Sequence, residues 1–224
     1  MTRTEMLSTI FISSTMALLF TVVFSCSVLA EGSSGDYNLL VASGFVCDPS
    51  DSSACPAVAQ AANGEIIEIS GAGMMNPSSK TITAMGAFTH KTAKWEILET
   101  GIWKATEVMK FNSYGIAPGA LLRDARRFKS SGLLPRGLLT GPMPAGGLVL
   151  LRIQLLPDTG KPKEAILQVN CAIGKVPENQ QGDGIRLAVE GEELKFDQKV
   201  SGRTLFILRK SLASAPLKVS PPGR

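Results

Sequence analysis

The chain has 224 residues, a formal net charge of +4, a single histidine and an aromatic content of 6%. One imidazole cannot supply the several His or Cys ligands of a usual zinc site, and so small a charge does not indicate nucleic acid by itself. We therefore expect no metal, no cofactor and no nucleic-acid partner.

Residues 1–30 have the order of an export signal. Arg3 precedes a long uncharged apolar run, and small residues at positions 28 and 30 are what a signal peptidase accepts. We predict cleavage after Ala30, which makes the mature protein secreted or periplasmic. The alternatives are a lipid anchor on Cys26, for which Phe24 is a bulky neighbour, and an uncleaved membrane anchor. No later run is comparable, so we expect no membrane span after cleavage.

The segment from residue 31 to 63 lacks a clear periodicity and is predicted to be irregular. It contains Cys47 and Cys55, which are separated by a turn-forming run of Pro, Ser and Asp. An exported chain meets an oxidising compartment, so we predict a disulfide between these two cysteines, with pairing of either one to Cys171 as the alternative. Cys171 ends an alternating strand and is expected to be a small buried side chain.

Residues 64–210 show the period-two alternation of β-strands. Apolar side chains alternate with polar ones over 81–90, 102–111, 148–156, 163–171 and 204–209, and Gly, Pro, Asn and Asp mark turns between the runs. This pattern predicts an all-β fold, either an antiparallel β-sandwich or, as the alternative, a β-barrel. Residues 211–224 are basic and contain proline, which predicts a flexible tail.

The segment from Tyr114 to Gly147 interrupts the strand pattern with one long loop. Apolar residues at helical spacing predict a short helix within it. Five basic residues, which are the predicted partner-binding residues, lie mainly on the other side of that helix or follow it: Arg123, Arg126, Arg127, Lys129 and Arg136. They suit an anionic envelope component or an acidic protein partner, although a solvated surface is the simpler interpretation.

The catalytic candidates are weak. His90 falls on the apolar side of its strand, where a structural histidine is more common than a general base. Glu99 and Glu107 belong to the same alternating series as Trp103, so either a bulge near Gly101 or a partly hydrated face must accommodate them. A hydrolase that combines His90 with one of these carboxylates is the least favoured hypothesis for function.

Four apolar side chains are candidates for a ligand cavity: Phe88, Trp95, Trp103 and Met109. The spacing of the two tryptophans places them on one face if a single strand runs through both, where they line either a packed core or the wall of a β-barrel that carries an apolar ligand. Taken together, the sequence favours an exported, non-catalytic binding or interaction module. An apolar-ligand carrier is the alternative, and the oligomeric state cannot be read from the sequence.

Overall fold

The computed structural model, which describes residues 35–117 and 143–209, consists almost entirely of antiparallel β-strands. In this described part the strands are β1 (Asp36–Val41), β2 (Ala57–Ala61), β3 (Ile66–Asn76), β4 (Thr81–Lys91), β5 (Ile97–Ile116), β6 (Met143–Pro157), β7 (Lys163–Cys171), β8 (Gly184–Val189), β9 (Lys195–Ser201) and β10 (Thr204–Arg209). Two short 3₁₀ turns, Gly44–Val46 and Glu178–Gln180, are the helical elements of the same residues. The predicted signal peptide, the short helix of the long loop and the C-terminal tail lie outside the described residues.

The strands form one sheet in the order β1-β10-β6-β5-β4-β3-β2-β9-β8-β7. Further pairings join β1 to β3 and β6 to β7, so the sheet closes on itself in a barrel-like manner. The long strand β3 pairs with two strands along one edge. Its residues 66–69 pair with β2, and its residues 71–75 pair with β1. The prediction of an all-β antiparallel fold is confirmed.

The segment predicted to be irregular contains two strands, β1 and β2, and in this respect the prediction is wrong. The side chains of Tyr37, Leu39 and Val41 alternate into the core and are fully buried. The strand β1 has only six residues, and its partners β3 and β10 lie far away in sequence, so a local pattern reveals little of it. The predicted disulfide between Cys47 and Cys55 is present, with a Cα–Cα distance of 5.4 Å, and it suggests an oxidising compartment.

Trp103 is the centre of the core and has no exposed surface. Its indole N–H donates a hydrogen bond of 3.0 Å to the carbonyl oxygen of Ser70, which satisfies the polar edge of a buried aromatic. A Cβ atom on Gly71 would lie 2.5 Å from the indole ring, so the absence of a side chain there makes room for the tryptophan. Trp103 therefore packs against the backbone of β3.

Trp95 lies in the turn between β4 and β5 rather than on a strand. Its φ of 67° is left-handed, its backbone N–H donates to the carbonyl oxygen of Thr92, and its side chain is 54% exposed. The prediction that the two tryptophans share a face is wrong, because the strand begins at Ile97. It then runs through Gly101 without a break, where a Cβ atom would lie 2.3 Å from the Leu156 carbonyl oxygen.

The β-bulges of β5 in its pairing with β6 lie beyond Gly101, and they decide which side chains face the core. The register shifts between Ala105 and Glu107, again between Val108 and Lys110, and once more near the end of the strand. The first shift turns Glu107 outward and buries Val108 in its place. A further bulge, at Leu98, lies in the pairing of β5 with β4, so the expected bulge near Gly101 is confirmed.

No helix of residues 35–117 and 143–209 has the length and apolar character needed to cross a membrane.

Candidate functional site

Five ionisable side chains gather at one end of the barrel-like sheet, and we call them the charged end cluster: Glu65, His90, Glu99, Lys163 and Glu192. Neighbouring strands run in opposite directions, so the start of β3, the end of β4 and the starts of β5 and β7 meet at this end. His90 and Glu99 are direct partners across β4 and β5. The structure thus brings together two of the three predicted catalytic candidates.

Each cationic or hydrogen-bonding group of the charged end cluster has a partner within it. The Nε2 atom of His90 lies 2.8 Å from Glu65 Oε2. The Nζ atom of Lys163 lies 3.3 Å from Glu99 Oε2 and 3.7 Å from Glu192 Oε1. These contacts orient the imidazole and close the end of the sheet with an ion-pair network.

A cavity of about 20 Å³ lies under the charged end cluster, which is room for about one water molecule. Its wall is mostly apolar and includes Phe88, Leu155 and Phe196, and the Phe196 ring packs edge-on against His90 at 5.4 Å between centroids. None of the described residues that line it is Ser, Thr or Cys. The geometry therefore favours a structural histidine, held in place by packing and by a carboxylate. The described lining of this cavity supplies no side-chain nucleophile that a hydrolase could use.

Glu107 lies away from this cavity, on the outer face of β5. Its Oε2 atom is 3.7 Å from the Nε atom of Arg152, which also contacts Glu190 at 2.6 Å. Both contacts are partly exposed to solvent. The bulge after Ala105 is the reason, because it reverses the side-chain alternation that placed Glu99 and Glu107 on one face.

The four side chains predicted to line a ligand cavity occupy different environments. Phe88 borders the small cavity, Trp103 is enclosed in the core, and Trp95 is largely exposed beside Lys91, whose Nζ atom lies 5.2 Å from its ring centroid. Met109 is half-buried at the second bulge of β5, where it has no register partner on β6. The structure does not bring these four residues together.

A groove of about 500 Å³ lies on the outer face of β5, β6 and β7, towards the end of the sheet opposite the charged end cluster. We call it the lysine groove. Leu148 and Leu150 of β6 supply its apolar lining, Lys110 and Asn112 of β5 contribute one side, and the segment that follows β7 contributes the other side with Lys175. The volume falls within the range of about 300–1,000 Å³ that is typical of small-molecule sites.

Hydrogen bonds to buried groups hold the segment after β7 in place. Asn170 is fully buried, and its amide N–H groups donate to the carbonyl oxygens of Gln180 and Gly182 at 3.0 and 2.7 Å. The hydroxyl of Tyr114 donates to Asn170 Oδ1 at 2.8 Å, and the backbone N–H of Lys175 donates to the Tyr114 carbonyl oxygen at 2.7 Å. Hydrogen bonds within the protein therefore fix the wall of the lysine groove.

The lysine groove is electropositive and hydrogen-bonding. Lys110 and Lys175 are exposed, and no Asp or Glu occurs among the described residues that line the groove. Amide side chains also line it, and two of their buried atoms, Gln168 Nε2 and Gln180 Oε1, have no hydrogen-bond partner among the described residues. The site thus offers two cations to a ligand, with an unpaired amide donor and an unpaired amide acceptor buried beneath its surface.

Cys171 lies on the core side of β7, within the packed core. It is fully buried, and burial raises the pKa of its thiol to about 12, with the nearby Asp183 carboxylate adding to the effect. Burial also raises the pKa of Asp183, against a hydrogen bond from the Ala172 N–H and the charge of Lys199. A thiol of this pKa carries almost no thiolate near neutral pH. The lack of exposed surface confirms the expected buried cysteine.

The predicted partner-binding residues Arg123, Arg126, Arg127, Lys129 and Arg136 lie outside the described residues. The groove itself was not foreseen from the sequence. Lys110 and Asn112 show only the polar alternation of an outer strand face, and nothing in the pattern connects them with Gln168 or Lys175.

In the described part of the chain, no group of three or more His, Cys, Asp or Glu side chains is arranged to hold a metal ion. The chain matches no family model, no curated protein and no solved structure. Inferences about function must therefore come from the geometry of the chain itself.

Proposed function

We propose that the protein is an exported, non-catalytic binding module that recognises an anionic ligand through the lysine groove. The carrying observation is a preformed groove of about 500 Å³ with two lysines and no acidic residue among its described lining. The buried Asn170 network supports this proposal, because a site that is already formed avoids much of the entropy cost of binding. The disulfide and the signal-like residues 1–30 support a secreted or periplasmic location.

The charges of the groove provide the test. The double substitution K110E/K175E reverses both lysines at the site, while K94E/K161E makes the same change in net charge in the turns at the other end of the sheet, where both lysines are exposed. Binding to immobilised polygalacturonate, dextran sulfate and polyphosphate is measured by biolayer interferometry, with neutral dextran as the blank.

We expect K110E/K175E to lose at least about tenfold in affinity for the polyanions that bind the natural protein. Hydrogen bonds to charged groups contribute about 1.5–3 kcal/mol, and about 1.4 kcal/mol corresponds to a tenfold change. K94E/K161E should stay within about twofold of the natural protein, since it leaves the groove intact. Equal losses in both variants would assign the binding to net charge and overturn the proposal.

The basic segment between β5 and β6 is a second, sequence-based candidate for the same partner class. In the sequence it follows β5, the strand that carries the groove residues Ser113 and Tyr114 near its end. We expect R126E/R127E to weaken retention on anionic liposomes while the midpoint of thermal unfolding stays nearly unchanged. Equal retention of the variant and the natural protein removes this segment from the proposal and leaves the lysine groove.

A further inference from the structure

The hydrogen-bonding groups of the lysine groove restrict the chemistry of its ligand further than the lysines do. A phosphate or sulfate group accepts hydrogen bonds but cannot donate them when fully ionised. Gln180 Oε1 is an acceptor and Gln168 Nε2 is a donor, and both atoms are buried without a partner among the described residues. Because both atoms are shielded from solvent, a ligand reaches them only when the glutamine side chains turn towards the groove, and a ligand that then satisfies both must carry a donor as well as an acceptor.

Hydroxyl groups meet this requirement, because each one donates and accepts. Asn112, Ser113 and Asn179 extend the same capacity along the groove. The terminal torsion of a glutamine is soft, so that either amide can turn towards a ligand. A row of side chains that both donate and accept therefore matches a polyhydroxylated molecule better than it matches a simple anion.

The apolar lining fits the same class of molecule. Leu148, Leu150 and Pro177 border the groove between the polar groups. The ring faces of a sugar present C–H groups, and contact with these side chains removes that surface from water. A lipid tail would need a larger continuous apolar surface than this mixed lining offers.

We infer that the ligand of the lysine groove is a carboxylated saccharide, that is, a uronic acid or a chain that contains one. The lysine ammonium groups bind the carboxylate, the amides and Ser113 bind ring hydroxyls, and the leucines contact the ring face. This inference rests on the proposed function, because it assigns a ligand class to the same groove.

The experiment compares ligands that differ in one property at a time, with the full chain in calorimetric titrations. The panel contains oligogalacturonate, oligoglucuronate and oligomannuronate, their methyl esters, polyglutamate and dextran sulfate. Methyl esters keep the hydroxyls and lose the charge, whereas polyglutamate keeps the carboxylates and lacks the hydroxyls. We expect at least one uronate to bind at least tenfold more tightly than its ester, than polyglutamate and than dextran sulfate.

A second arm uses variants. Q168L/Q180L removes both unpaired amides, and Q198L makes the same change on the outer face of β9, where Gln198 is exposed. We expect Q168L/Q180L to lose about tenfold in uronate affinity but to keep any weak binding to dextran sulfate, while Q198L changes neither. If the double variant fails to fold, the comparison of esters with the natural protein still decides the question.

The failures are distinguishable. Equal binding of polyglutamate overturns the saccharide class, and equal binding of dextran sulfate, which is a sulfated saccharide, overturns the preference for a carboxylate; either result leaves the groove as an anion site. Equal binding of the methyl esters overturns the anionic part of both proposals. Absence of binding to every anion in the panel overturns the proposed function together with the inference.

Discussion

Asn170 and Cys171 are neighbours at the end of β7, and both are fully buried. Asn170 tolerates burial because its amide makes three hydrogen bonds, which fix the wall of the lysine groove. The Cys171 side chain points to the other face of the strand, where it packs among the apolar side chains of the core. Because side chains alternate between the faces of a strand, Asn170 holds the wall of the groove and Cys171 packs in the core.

The burial of Cys171 predicts low reactivity and a defined pH dependence. With a pKa of about 12, only about 10⁻⁴ of the thiol is ionised at pH 8, so native protein should resist iodoacetamide while unfolded protein reacts readily. The folded pKa lies above the ordinary thiol value of 9.0, so stability from this group is complete below pH 9 and is lost as the pH rises towards 12. Mass spectrometry of alkylated protein checks the first expectation.

The matching control for this prediction is labelling in denaturant without reductant, where Cys171 should react and the two disulfide cysteines should not. For the pH dependence, unfolding midpoints of the natural protein and of C171A between pH 8 and 11 are compared. The natural protein should lose more stability than C171A across that interval. Rapid labelling of the native protein at pH 8 would contradict the burial of the thiol.

At the scale of elements, the disulfide loop connects β1 to β2 and docks on the turn between β9 and β10. The carbonyl oxygens of Ser53 and Ala54 accept hydrogen bonds from the backbone N–H groups of Gly202 and Arg203, at 2.9 and 2.8 Å. Arg203 also contacts Asp51 Oδ2 at 2.7 Å. The disulfide therefore restrains a loop that links β1 and β2 to the turn between β9 and β10.

We expect C47A/C55A to fold but to be less stable by about 2–3 kcal/mol, since the bridge spans a sequence separation of 8 and restricts the unfolded chain. Equilibrium unfolding in urea, with and without reductant, measures the effect. Reductant should lower the midpoint of the natural protein to near that of the variant and leave the variant unchanged. If reductant leaves the urea midpoint of the natural protein unchanged, the disulfide does not stabilise the fold.

The elements also show how far the sequence could be interpreted. Period-two alternation predicts β4, β6 and β7, because their own side chains alternate and the extra residues of the bulges that face β4 and β6 lie on β5. In β5 the alternation fails after Ala105, because each bulge reverses which side chains face the core. No residue type at these positions indicates a bulge in advance. His90 and Glu99 could be paired as candidates because β4 and β5 form a hairpin. Lys163 lies near them only because the pairing of β6 with β7 closes the sheet.

At the scale of the whole molecule, closure of the sheet determines both candidate sites. The pairing of β6 with β7 brings Gln168 beside Leu150, with which it is in register, and so creates the floor of the lysine groove. The groove draws on three strands and the segment after them, and a sequence pattern specifies which face a residue occupies but not its neighbours in space. This is the physical reason that the site could not be predicted while the fold class could.

The other closing contact, in which β1 pairs with both β3 and β10, makes the first described strand indispensable. A chain that starts at Glu31 or Gly35 retains β1 and should unfold cooperatively, which suits cleavage after Ala30. A chain that starts at Ser43 loses Tyr37, Leu39 and Val41, each of which contributes about 1.5–3 kcal/mol by burial. Because the whole domain is stable by only about 5–15 kcal/mol, we expect the shorter chain to lose its cooperative transition in circular dichroism melts. Cooperative melting of that chain at an unchanged midpoint would show that β1 does not hold the sheet closed.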